Sequence, residues 1–133
     1  MLKPAGLEKS KGLITASYVI DVTDQRMKDN PDMLAWKAFT DKYMSATEFA
    51  DGNAAAGFGD AATVVQVLRQ CGNDLSRENI MRQAANLKDF HAPLLFPGIT
   101  VNTSPANYSP IRQLQLATFN GGNWDPIGDV LSD

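Results

Sequence analysis

The longest apolar pattern in the chain lies between residues 57 and 72. Phe58, Ala62, Val65 and Leu68 recur at i, i+4, i+7 and i+10, with Ala61 and Val64 beside them. A stripe this wide needs a core partner, so the pattern predicts a buried helix, starting as early as Asn53. Asp60 lies near its positive end, Arg69 near its negative end, and Gly72 sits where a helix commonly turns left-handed. A second helix is predicted from Asn30 to Met44. Asn30 can cap it, Pro31 fits its first position, Asp32 favours the dipole, and Trp36, Phe39 and Tyr43 recur at i, i+3 and i+7. A third runs from Ser76 to Leu87. Ser76 is a good cap and Glu78 sits in the first turn, but Asn79 stands where a capping box places Glu or Gln. The short link between the last two helices predicts antiparallel packing.

Residues 12–20 are rich in β-branched and aromatic side chains, and residues 13–16 are apolar without clean alternation. That suits a strand buried on both faces and favours a parallel α/β sheet. From Pro93 onward the helical pattern ends. Residues 98–103 alternate, Leu114 and Leu116 share one face, and Asn120, Gly121 and Gly122 make a turn before Trp124. These features predict a terminal β-hairpin.

Charge and composition narrow the function by exclusion. A net charge of −3 and a pI near 5.0 leave no basic footprint, and no Lys/Arg cluster marks any predicted helix face. Nucleic acid and anionic membrane are therefore not expected as partners. With 133 residues the chain can bury one core without disulfides or metals. Cys71 is the only cysteine, so no intramolecular disulfide is possible, and it reads as a small apolar residue at a helix end. No apolar run approaches a membrane span, and residues 1–11 lack the apolar core of a signal peptide. A soluble chain without an export address is expected.

The chemical motifs are weak. Gly57, Gly59 and Ala62 have the spacing of a dinucleotide fingerprint, but no strand precedes them. Gly52 and Gly57 match the first two glycines of a phosphate loop, yet Phe58 and Gly59 stand where Lys and Ser/Thr are needed. His91 is the single histidine and reads as an exposed or capping residue. Asp21, Asp24, Asp29 and Asp32 cluster without a calcium-loop pattern, and the sequons at Asn102 and Asn107 matter only in a secreted eukaryotic chain. No catalytic constellation, metal set or cofactor motif emerges, so no enzyme is expected.

Five segments in order carry more than any one motif. AGLEKSKGLITASY at 5–18, GFGDAA at 57–62 followed by Gly72, LSREN at 75–79, LFPGIT at 95–100 and GGNW at 121–124 together resemble a solute-binding protein. The resemblance is to the C-terminal part of ABC-transporter substrate-binding proteins of the branched-chain amino-acid type. It implies a partial type I periplasmic-binding-protein fold of the α/β class: a buried strand, three helices and the terminal hairpin. Residues 1–12 then resemble the end of the second lobe, 13–92 part of the first lobe, and 93–133 a crossing with the second-lobe hairpin.

The same resemblance implies a non-catalytic component of an importer. Its parent would hold a small amino acid, or a related aromatic or aliphatic carboxylate, between the lobes and present it to an ABC permease in the periplasm. Tyr18, after the crossing strand, and Phe58, at the cleft end of its helix, are the positions implied to face that ligand. The N-terminal half of the family pattern has no counterpart in these residues. Exposed apolar surface is therefore expected, covered by a homodimer, with or without exchange of the hairpin, or by a separate N-terminal segment. The alternative is a ligand-sensing module of a receptor or transcriptional regulator built on the same lobes.

Overall fold

The computed structural model describes Leu2, Pro4 and residues 6–132. Met1, Lys3, Ala5 and Asp133, which fall in the predicted segments 1–12 and 93–133, lie outside the described residues. The elements run β1 (Ile14–Ser17), α1 (Pro31–Tyr43), α2 (Gly52–Cys71), α3 (Arg77–Ala84), β2 (Gln113–Phe119) and β3 (Trp124–Ser132). The fold is mixed α/β, with three helices beside a three-stranded antiparallel sheet of order β1-β2-β3.

The helix starts follow local chemistry. The Asn30 side chain accepts the N–H groups of Asp32 and Met33 at 2.9 and 3.4 Å, with Pro31 at the first position. Asp51 caps α2 from the Asn53 N–H at 2.8 Å, and Ser76 caps α3 from the Asn79 N–H at 3.3 Å. Helix α2 therefore begins one residue before the earliest start its apolar pattern suggested. Gly72 ends it at φ 59°, a backbone that disfavours any side chain. Helix α3 stops at Ala84, three residues short of expectation.

Asn79, the residue that breaks the capping box, has a different task. It is buried, and its amide nitrogen donates to Cys71 O at 3.2 Å and Asp74 O at 2.7 Å. A side chain of the third helix thus satisfies carbonyls at the end of the second. Glutamate could not donate these bonds.

Three expectations are corrected. Strand β1 is neither parallel nor buried on both faces. It pairs antiparallel with β2, Ile14 opposite Thr118, and Leu13 and Ile14 are 48% and 65% exposed. The buried apolar residues of this stretch, Ile20 and Val22, follow the strand and enter the core as irregular chain. A short edge strand can carry apolar residues without a second covering layer, and a local pattern cannot register that difference. Second, α2 is not a buried helix: Val64, Val65 and Leu68 stay exposed, and its buried positions are Ala55, Val67 and Cys71. Third, residues 98–103 form no strand, only an isolated antiparallel bridge from Val101 to Phe90.

Two buried clusters hold the molecule. One gathers Met33, Trp36 and Ala55 with Ile20, Val22 and Leu94. The other joins Val67 and Cys71 to Leu87, Leu95, Ile99 and Val101, with Phe96 packing against both. The predicted hairpin is present. Phe119 pairs with Trp124, and a register shift between Leu114 and Leu116 is filled by buried Gln115, which donates to Leu116 O, Ile127 O and Gly128 O. Pro126 lies in β3, an edge strand where a missing N–H is tolerated.

Candidate functional site

A cavity of about 470 Å³ lies where residues 15–22, helix α2, residues 92–96 and the hairpin meet. Its first wall is irregular chain laced by backbone: Ile20 N–H donates to Leu94 O at 2.8 Å and Phe96 N–H to Tyr18 O at 3.0 Å. Helix α2 supplies the second wall through Gly52, Ala55, Ala56, Gly59 and Thr63, spaced to share one face. Small residues let the chain approach closely here. A Cβ on Gly59 would stand 3.1 Å from Pro93 O, so the helix and the 92–96 segment nearly touch. Trp124 and Ala117 of the hairpin close the far side.

The segment opposite α2 is held under strain. Leu94 is buried at φ 67°, unusual for a branched residue and costing about 1–3 kcal/mol. Asp32, in the first turn of α1, compensates. Its Oδ2 accepts the Leu94 N–H at 3.1 Å and lies 2.8 Å from His91 Nε2. His91 is therefore a half-exposed partner of a helix-start carboxylate, in line with the exposed or capping role expected of it.

Most polar groups around the cavity are already used locally. Asp21 accepts the Thr23 N–H and hydroxyl at 2.9 and 2.7 Å, Thr63 donates to Gly59 O, and Ser17 donates to Val19 O. Tyr18, 43% exposed, and Asp60 line the cavity, and the Tyr18 hydroxyl and Asp60 carboxylate have no hydrogen-bond partner among the described residues. The cavity is thus an apolar chamber with a phenol and a carboxylate free to meet a ligand.

Tyr18 and Phe58 are not brought together. Phe58 packs in an aromatic group with Trp36 and Phe39, ring centroids 5.5 and 5.2 Å away. It lines a second, more open groove of about 700 Å³ with Tyr43, Val65 and Arg69, on a different face of α2 from the Gly59 row. Gly57 and Gly59 sit inside a continuous helix, so no strand-to-helix turn exists for a pyrophosphate. Sequence reasoning missed Asp60 and Trp124 as cavity residues. The spacing of Gly52, Ala55, Ala56 and Gly59 was the available signal for Asp60; none pointed to Trp124.

An ionic corner stands beside Trp124. Asp24 accepts the Arg26 backbone N–H at 2.9 Å and its guanidinium at 2.7 to 3.0 Å, while Arg26 also donates to Asp125 Oδ1 at 2.7 Å and Trp124 O at 2.9 Å. Hydrogen bonding from Arg26 holds both carboxyls below the ordinary aspartate value, with Asn120 assisting at Asp125, and the two carboxylates raise the guanidinium further. Among the described residues no three His, Cys, Asp or Glu side chains converge, and no helix is long and apolar enough to cross a membrane.

Neither a protein-family model nor a curated protein sequence matches this chain. Its fold matches a solved structure described as a branched chain amino acid ABC transporter from Thermus thermophilus with bound valine. The TM-score is 0.76 at 16% identity, over 99% of this chain and 36% of that one. The chain therefore has the fold of about a third of that protein.

Proposed function

We propose that this chain is part of a solute-binding component of an ABC importer, whose intact parent holds a small apolar amino acid or related carboxylate without catalysis. The observation that carries the reading is the structural likeness over 99% of the chain to a transporter structure holding valine. The cavity supports it in chemical terms. Its apolar walls suit a branched or aromatic side chain, the Asp60 carboxylate suits an ammonium group, and the Tyr18 hydroxyl can donate to a carboxylate. Phe58 acts from the second groove, as a support for α2. The division into lobe segments at 12/13 and 92/93, the permease partner and a periplasmic location belong to the same proposal.

A thermal-shift series on the intact parent with valine, leucine, phenylalanine and benzoate tests it. Ligand at a hundredfold excess over its dissociation constant adds about 2.7 kcal/mol of stability. Absence of stabilisation by every member of the series overturns the reading. Val64, Val65 and Leu68 on α2 and Tyr43 on α1 are exposed apolar side chains, which supports a covering partner. Light scattering on the 133-residue chain is expected to give more than the monomer mass, and the same chain mixed with the rest of its parent is expected to give a defined complex. A monomer that ignores the rest of its parent overturns this part.

A further inference from the structure

Trp124 reaches the cavity from β3, a strand whose far end packs on the second cluster through Val130. Strand β3 is a sheet edge, and Trp124 stands just after the turn, packed on Phe119 at 5.2 Å between ring centroids. What fixes this corner against the helical part is Arg26, which bonds residues 98 and 99 positions away in sequence. Arg26 is itself pre-set. Asp24 takes its backbone N–H and three contacts from its guanidinium, so the fork is aimed before it meets the hairpin. Asn120 braces the other side, donating to Asp125 Oδ2 at 2.8 Å.

We propose that Arg26 is a positioning residue for the ligand cleft: by clamping Asp24 to the Trp124–Asp125 corner it fixes Trp124 as a wall of the cavity and so governs binding of an apolar amino acid there. The inference rests on the cavity being the ligand cleft, as argued above. Charge makes the device asymmetric. Arg26 stands between two carboxylates, bonded to both, and its single positive charge offsets the repulsion between them. Removing the cation leaves like charges facing each other, so the corner is pushed open as well as released.

The test follows the fluorescence of Trp124 in the full 133-residue chain. Each protein is paired with its Trp124→Phe counterpart, and the difference removes the signal of buried Trp36. Arg26→Ala is expected to shift Trp124 emission to the red and raise its quenching by acrylamide, while circular dichroism keeps its helical signal. Arg26→Lys keeps the charge without the fork and should fall between. Adding Asp125→Asn to Arg26→Ala relieves the repulsion and should restore part of the emission, a rescue that general loss of packing does not give. Valine affinity of the intact parent is expected to fall about tenfold in Arg26→Ala and to recover in the same order.

Should Arg26→Ala not fold, Arg26→Lys and the natural chain in 1 M salt carry the same expectation, because a half-exposed pair is screened. Unchanged Trp124 emission in every arm overturns the proposal. Emission that moves while valine affinity of the intact parent stays constant also overturns it. Emission that moves while valine binds no form of the intact parent supports the clamp and overturns the ligand reading instead.

Discussion

Two polar side chains each tie distant backbone together, and they do it in opposite ways. Asn79 is buried and neutral, and it reaches carbonyls five and eight residues back. Arg26 is charged, has a side chain 48% exposed, and reaches across almost the whole chain. A buried amide contributes stability, because its loss leaves its own site and the carbonyls it serves with fewer hydrogen bonds. An exposed guanidinium exchanges protein contacts for water at little net cost, so its effect is on where a strand sits rather than on whether the chain folds.

The largest expected effect comes from removing the centre of the first buried cluster. Trp36 is fully buried, stacks near Phe39, Phe49 and Phe58, and donates its indole N–H to Phe49 O at 3.1 Å. Trp36→Ala is expected to cost about 3–5 kcal/mol in urea denaturation. A cost below that range would show that Trp36 is not the centre of that cluster.

Asn79→Ala comes next. It leaves Asp74 O without its donor and Cys71 O with only the Asp74 N–H, and should cost about 1–3 kcal/mol. If Asn79→Asp is tolerated equally well, the donor role assigned to the amide fails. Asp32→Ala removes both the Leu94 N–H acceptor and a helix-start charge, for about 1–2 kcal/mol. Hydrogen exchange at Leu94 should quicken more than at Val67, since the strained segment loses its anchor. Equal acceleration at both would show a global effect only.

The smallest effect separates the two corners by pH. Asp24 and Asp125 have folded values depressed below 3.8 by Arg26, so their contribution is present above that value and fades as pH falls through the lower folded values. Between neutral pH and about pH 5 the Arg26 corner is expected to hold. In more acid solution Trp124 should become mobile before the helices melt, whereas the Asn79 amide that links the other corner does not itself titrate. Glu48 and Asp74 are also held low, by Ser45 and Ser76, so the signal is read at Trp124 and not from total stability.

Local chemistry made much of the helical part legible. Asn30 with Pro31 and Asp32, Ser76, and Gly72 each act within a turn of their own position, so type and boundary could be read from neighbours. The hairpin was legible for the same reason, through Asn120, Gly121 and Gly122. The resemblance carried by five ordered segments agreed with the fold that the structural match shows.

The sequence by itself determined the three helices, the hairpin and the class of fold, because capping, periodicity and turns are set over a few residues. Tertiary structure alone decided that β1 is an exposed edge, that α2 turns its small residues toward a cavity and leaves Val64, Val65 and Leu68 outside, and that Asp60 and Trp124 join Tyr18 there. An apolar residue has the same sequence signature whether its partner layer is present or not. Likewise, the meeting of Arg26 with Asp125, 99 positions on, depends on how sheet and helices pack, and no pattern of neighbours records that.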